Sequence, residues 1–229
     1  MKSNTPLRDI TAAARAGLSG NWGKSIGVLL VYLILLVGVN LIPLAGSLIQ
    51  LIFSAPLMVG LVAFFLEVVR GQSGSFSLLF SGFDRFGTSL CAYLLVLLIT
   101  FVWILPFAIL MALGVAFFHP DPAVFPPLTL VALGAILILI LSGLMILLQM
   151  RYGLALYVVA DDSSANARQA VRRSVELMKG NYWRLGLFWL RFIGWQLLAV
   201  LTLGIGFIWL APYYMAAMSA FYDDLTMNG

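Results

Sequence analysis

Charged residues are missing from long stretches of this chain. None occurs in residues 25–66, 86–118 or 122–150, and residues 185–222 contain only Arg191. A helix needs about 20 apolar residues to cross ~30 Å of hydrocarbon, so the first and last runs each have room for two spans and the middle runs for one each. We therefore predict an all-α polytopic membrane bundle with six transmembrane helices, over residues 25–43, 47–66, 87–109, 136–159, 185–203 and 206–222.

The composition excludes several classes of function. Apolar residues make up 62% of the 229 residues and charged residues only 10%, whereas a soluble domain carries about 25% charged residues. One histidine and one cysteine cannot form a metal site, a disulfide framework or a Cys–His catalytic pair. We expect a protein that is not an enzyme and that has no cofactor, no metal and no nucleic-acid partner.

Basic residues mark one side of the predicted bundle. Twelve of the thirteen lysines and arginines precede the first span or lie between spans two and three or spans four and five, and the remaining one is Arg191. Loops rich in Lys and Arg stay in the cytoplasm. We therefore expect both termini to be cytoplasmic, and we expect no cleaved signal peptide, because the first apolar run leads directly into a second span.

The sequence contains similar segments at its two ends. Leu18–Lys24 (LSGNWGK) is repeated as Met178–Arg184 (MKGNYWR), and the Ala-Pro pair at position 55 recurs at position 211. A weaker middle copy begins near Ser81. We predict one transmembrane domain, 1–229, built from three pseudo-repeated hairpins at about 5–70, 73–162 and 163–224. The middle hairpin is enlarged by an insertion near 107–136. The alternative is that the similarity is a chance match of short apolar motifs.

Each outer unit opens with a segment that has the pattern of an amphipathic helix. Small and apolar residues recur at helical spacing from Ala167 to Met178, and basic residues occupy the other face. Asp161, Asp162 and Ser163 are expected to cap this helix. In the N-terminal copy Thr5 is expected to cap a helix that Gly20 ends. We expect both helices to lie in the cytoplasmic headgroup plane.

These segments carry the first group of candidate site residues, which are positioned to contact anionic lipid headgroups or a partner at the interface. Basic side chains near a charged membrane surface each contribute roughly 1 kcal/mol of attraction. The alternative is that the same residues serve only to set topology. The candidates are Arg168, Arg172, Arg173, Lys179, Arg184, Trp22, Lys24 and Trp183.

The second group of candidates is intramembrane. Arg151 and Arg191 lie within or beside predicted spans, where an ionisable side chain is a functional hypothesis by default. The carboxylates expected to pair with them are Glu67, Asp161 and Asp223, of which Glu67 is itself a candidate functional residue. The alternative is that Arg191 snorkels to the interface and that span four ends near Met150.

Several segments resemble a bacterial family of integral membrane proteins of unknown function, catalogued as domain of unknown function nine-seven-five. Two shorter stretches, Gly20–Lys24 and Gly82–Gly87, resemble it too, and the chain departs from the family pattern at Arg191. The resemblance implies the fold and location in the bacterial cytoplasmic (inner) membrane, but no chemistry. The segments that carry it are Ala160–Asp162, Ser174–Arg184, Phe192–Trp195, Leu201–Pro212 and Phe221–Leu225.

The expected function is non-catalytic. The interfacial helices would organise membrane lipids, anionic ones in particular, or a partner membrane protein or a second copy of the chain. The alternative is a permease or export component for an apolar or amphiphilic substrate. A polar cavity near the midplane that reaches Arg151 would favour transport, and a closed, dry bundle would favour the organising role.

Overall fold

Most of the chain is helical in the part that the structure describes. The computed structural model describes residues 5–42, 46–118 and 127–228, and it describes the side chains of these residues except within 111–133 and at Asn228. These residues form α-helices and one 3-10 helix, Phe76–Phe83, with no strand among them. The α-helices are α1 Leu7–Leu18, α2 Trp22–Asn40, α3 Gly46–Val69, α4 Phe86–Phe118, α5 Pro127–Tyr152, α6 Ala155–Asp161, α7 Ala167–Met178, α8 Tyr182–Leu201 and α9 Phe207–Asn228.

Membrane-crossing character is confirmed for most of the predicted spans. Within the described residues, five helical stretches are long and apolar enough to cross a membrane. Helix α9 is 22 residues long, or about 33 Å, but it carries Asp223 and Asp224 and is not one of the five. The five stretches are Trp22–Asn40, Gly46–Val69, Phe86–Leu110, Gly134–Asp161 and Tyr182–Leu201.

The fourth apolar stretch is interrupted where α5 gives way to α6. The Gly153 amide still donates to the Gln149 carbonyl at 2.8 Å, but α6 begins only at Ala155. An interruption leaves nearby carbonyls without helical partners. The Arg151 carbonyl accepts a hydrogen bond from the buried Ser174 hydroxyl of α7 at 3.0 Å, so this break anchors α7.

Tight packing is concentrated at one end of the bundle. We call this the packed end: it is where α2 and α8 begin, at Trp22 and Tyr182, and where α3, α6 and α9 end. The largest fully buried side chains lie there. In the far half of the bundle, α8 and the described parts of α2, α4 and α5 expose many large apolar side chains. Water does not accommodate so much contiguous apolar surface, so the surroundings of the far half are hydrocarbon. The buried side chains at the packed end include Leu18, Phe64, Phe65, Leu79, Leu154, Met178, Leu185, Phe188, Phe192, Phe221 and Leu225.

Short elements cover the packed end. Helix α1 packs on α9 and α3, the 3-10 helix packs on α3, and α7 packs on α4, α5 and α6. The 3-10 helix approaches α3 closely at two glycines, because a side chain at Gly60 or Gly82 would collide with the carbonyl oxygens of Leu79 or Pro56. These elements fix the position of the segments that carry charge.

The turns after α1 and α7 have the same geometry. Gly20 and Gly180 take positive φ angles of 82° and 86°, the left-handed conformation that commonly ends a helix. The following asparagines, Asn21 and Asn181, donate from Nδ2 to the carbonyls four residues before them, at 3.2 and 3.0 Å. The prediction that these two glycines end their helices is confirmed.

The predicted caps were wrong. The N-cap of α7 is Asn166, which exchanges hydrogen bonds with Gln169 in a capping box. Asp162 instead accepts hydrogen bonds from the amide and hydroxyl of Ser164, at 2.8 and 2.6 Å, which hold the pKa of its carboxyl below the usual value. At α1 the N-cap is Pro6, with no side-chain cap, and not Thr5 as predicted.

Candidate functional site

Arg70 joins the ends of three helices at the packed end. It follows directly after α3, and its Nε and one terminal nitrogen donate to the two oxygens of Asp223 in α9, at 3.1 and 2.6 Å. Its other terminal nitrogen donates to Asp161 at the end of α6, at 2.6 Å. The planar guanidinium suits this bidentate arrangement, so one side chain holds α3, α6 and α9 together.

The surroundings of Arg70 favour its charged form. The hydrogen bond to Asp223 raises the pKa of the guanidinium above its usual value, and Asp161 adds to this against the opposing effect of partial burial. Asp161 also accepts a hydrogen bond from the Tyr222 hydroxyl at 3.2 Å. The side chains of Arg70 and Asp223 are 34% and 10% exposed, so the pair is better shielded from solvent than an ordinary surface ion pair.

A second arginine attaches the start of α8 to α9 and to the N-terminal segment. Arg184 donates to Asp224 at 2.9 Å and to the Thr5 carbonyl at 2.7 Å. Its guanidinium carbon lies 5.6 Å from the centroid of the Phe221 ring. Arg184 was predicted as a headgroup contact, but the structure places its side chain inward, with 17% of it exposed.

A third arginine fixes the loop that leads into α7. Arg85 donates to the carbonyls of Val159, Asp162 and Ala165, at 2.9, 2.7 and 2.6 Å. The carbonyls at the end of a helix lack intrahelical partners. Arg85 supplies a donor to one such carbonyl, that of Val159 in α6, and to the carbonyls of Asp162 and Ala165 in the loop that follows. Helix α7 is therefore held at its start by Arg85 and at its middle by Ser174.

The outer face of α7 is basic. Ala170, Ser174, Leu177 and Met178 are buried on its inner side. The sequence-predicted candidates Arg168, Arg172, Arg173 and Lys179 are all exposed on this helix and at its end.

One carboxylate partly neutralises this face. Glu176 pairs with Arg172 at 3.0 Å and with Arg173 at 3.8 Å, through side chains that are about half exposed or more. Arg168 has no ion pair among the residues that the structure describes. The helix thus presents an excess of positive charge beside an open cleft of ≈450 Å³ that Arg172, Arg173 and Glu176 also line.

The remaining interfacial candidates lie at the two matched turns. Trp22 and Lys24 begin α2, the former half-buried and the latter exposed. Trp183 begins α8 and is 78% exposed. Tryptophan is enriched at membrane–water interfaces because its ring is amphipathic, and both turns lie at the packed end with α7.

Arg151 and Arg191 do not pair with the carboxylates expected for them. Both arginines are exposed, and within the described part of the chain neither forms an ion pair. Asp161 and Asp223 bind Arg70 instead, and Glu67 is only partly buried. The guanidinium of Arg151 lies 5.7 Å from the ring of its neighbour Tyr152.

Sequence reasoning missed the importance of Arg70 and Arg85, which it used only as markers of topology. The signal was present in part, because Glu67, Asp161 and Asp223 each close the second arm of a hairpin. Arg70, the partner of Asp161 and Asp223, is separated from Asp223 by 153 residues, and no local pattern reveals such a contact. The sequence also gave no indication that Arg85 would bind carbonyls of the α6–α7 loop.

Replacing Arg70 tests whether it holds the helix ends. Arg70→Ala leaves Asp161 and Asp223 without their cation, and we expect a loss of about 1–3 kcal/mol in the free energy of unfolding. Arg70→Lys keeps the positive charge but loses the planar guanidinium that binds two oxygens at once, so we expect a smaller loss in the free energy of unfolding. The measurement is unfolding of the purified protein in detergent.

Arg8→Ala is the matched control. Arg8 pairs with Asp9 at 3.4 Å through a side chain that is 80% exposed, and such pairs contribute little. An Arg70→Ala protein as stable as the Arg8→Ala protein would contradict the role assigned to Arg70.

Comparison with known proteins gives a family and no activity. Residues 1–229 match the model of the family described as "Protein of unknown function (DUF975)". No curated protein and no solved structure matches the chain. Because the family match extends over all 229 residues, the chain belongs to this family of unknown function.

Proposed function

We propose that this protein is a non-catalytic integral membrane protein that organises anionic lipid at the membrane surface through the basic face of α7. The observation that carries the proposal is the outward placement of Arg168, Arg172 and Arg173 on a helix whose other side is buried against the bundle. A membrane-protein partner or a second copy of the chain could use the same face. The excess of positive charge on this face of α7 suits phosphate headgroups in particular.

The anchoring of α7 supports this proposal. Arg85 and Ser174 hold the helix against the ends of the apolar helices, so its arginines are positioned before a lipid arrives. Preorganisation of this kind lowers the cost of binding. At roughly 1 kcal/mol for each basic residue near an anionic surface, three arginines would supply affinity on the order of a hundredfold.

We further propose that α9 is a sixth span and that the chain is a single domain of three repeated hairpins. Two features support this: the ends of α3, α6 and α9 meet at Arg70, and α2 and α8 follow turns of matching geometry. A helix in contact with several neighbours, as α9 is with α1, α2, α3 and α8, needs less apolar surface than one that faces lipid.

The packed end would face the cytoplasm. Most of the basic residues belong to it and to its loops, and positively charged loops remain on the cytoplasmic side. With six spans both termini share that side. The family resemblance favours the bacterial inner membrane as the location.

A transport function has less support. A cavity of ≈110 Å³ lies within the bundle, lined mostly by apolar and aromatic side chains such as Met58, Met150, Tyr157 and Tyr214. Arg151, which a polar transport path was expected to reach, is exposed and is not one of its lining residues. The organising role therefore agrees better with the geometry than the permease role.

Cysteine labelling in intact cells tests the proposed topology. In a Cys91→Ala background, single cysteines at exposed Ser163, Leu203 and Met227 are treated with a membrane-impermeant maleimide. Leu203→Cys, in the α8–α9 turn, should react from outside, whereas Ser163→Cys and Met227→Cys should react only after permeabilisation. Reaction of both Leu203→Cys and Met227→Cys in intact cells would show that α9 does not cross.

Lipid-dependent stabilisation tests the basic face. For the full-length protein in mild detergent, added phosphatidylglycerol should raise the midpoint temperature of unfolding more than phosphatidylcholine does, because binding to the native state stabilises it. The triple variant Arg168→Gln, Arg172→Gln, Arg173→Gln should lose the part of this difference that α7 supplies, so its phosphatidylglycerol effect should be clearly smaller than that of the wild-type protein.

Glu176→Gln is the complementary variant. It removes the carboxylate that competes for Arg172 and Arg173, so the phosphatidylglycerol effect should increase. Equal stabilisation of the wild-type protein and the triple variant by phosphatidylglycerol would exclude α7 as the lipid-binding surface.

A further inference from the structure

We propose that a groove between α1, α2, α8 and α9 binds one anionic lipid, with an acyl chain along the groove and the headgroup at Arg15. The groove has a volume of ≈410 Å³, within the roughly 300–1,000 Å³ typical of ligand sites. It is open along one side. Apart from Arg15, its lining includes Trp22, Trp195, Leu198, Trp209 and Tyr213.

The floor of the groove is formed by the hairpin of α8 and α9. The two helices approach closely, since a Cβ on Gly206 would lie 2.7 Å from the Ala199 Cα. Thr202 closes the hairpin by donating to the Ala199 carbonyl at 2.8 Å and accepting from the Gly206 amide at 2.9 Å. Its polar atoms are thereby satisfied, and this end of the groove offers apolar contact.

The other end of the groove carries the charge. Arg15 is exposed on α1 and, among the described residues, makes one hydrogen bond, from Nε to the Thr11 carbonyl at 3.3 Å. Its terminal nitrogens remain available to an anion. Trp22 also lines the groove, and an indole N–H is a further donor suited to the interface. An apolar groove that ends at a cation is complementary to an amphiphile with an anionic head.

The surroundings of the groove favour a lipid chain as its occupant. The groove follows α9 from Gly206 to Tyr213, about 10 Å of helix. The walls also carry exposed apolar side chains, including Trp195 and Trp209, that face the hydrocarbon surroundings of the far half.

This site is separate from the basic face of α7. The groove is lined by α1, α2, α8 and α9, whereas α7 packs on α4, α5 and α6. The inference therefore goes beyond the proposed function and does not depend on it.

The test uses tryptophan fluorescence of the full-length protein in mild detergent, titrated with phosphatidylglycerol that carries brominated acyl chains. Bromine quenches indoles at contact, so the wild type should show saturable quenching that the variant Trp195→Phe, Trp209→Phe largely loses. Arg15→Gln should raise the half-quenching concentration about fivefold, which corresponds to the ~1 kcal/mol expected of one basic residue.

The controls separate this site from other effects. Arg8→Gln makes the same change on the same helix outside the groove and should leave the titration unchanged. The triple arginine variant of α7 should also retain the saturable quenching. Brominated phosphatidylcholine that quenches at the same half-quenching concentration as phosphatidylglycerol would overturn the proposal, and so would an unchanged half-quenching concentration for Arg15→Gln. It would also be overturned if Trp195 and Trp209 were not quenched and the protein eluted as a dimer, because a second copy would then cover the groove.

Discussion

Arg70 binds two carboxylates that belong to different helices, and much of the architecture depends on this contact. The guanidinium donates to both Asp223 and Asp161. If the ends of α3, α6 and α9 separated, these three charged groups would lose their hydrogen-bonding partners. Arg184 adds the start of α8 to the same assembly through Asp224. The packed end is therefore held by hydrogen-bonded ion pairs above a buried aromatic core.

This arrangement explains why the two ends of the molecule differ. At the packed end, polar contacts and large buried side chains fix α1, α7 and the 3-10 helix. In the far half, apolar side chains remain exposed, which is stable only in hydrocarbon. Lipid is thus part of the environment that the fold requires, and the lipid sites that we propose on α7 and at Arg15 add only a few cations to it.

Local features of the fold were predictable from sequence, whereas contacts between distant segments were not. The helical stretches and the Gly-Asn turns at Gly20 and Gly180 depend on short-range pattern and glycine conformation. The cap of α7 was misassigned because several residues before Ala167 can cap, and geometry selected Asn166. The exposed arginines of α7 followed from helical periodicity, but the pairing of Arg70 with Asp223 arises only once the bundle closes.

The central claim is that α7 is a preformed surface for anionic lipid. Hydrogen–deuterium exchange of the full-length protein in nanodiscs of phosphatidylglycerol, compared with nanodiscs of phosphatidylcholine, measures it most directly. We expect the amides of Ala167–Met178 and of the preceding loop to exchange more slowly in the anionic lipid. Identical exchange of α7 in the two lipids would contradict the claim.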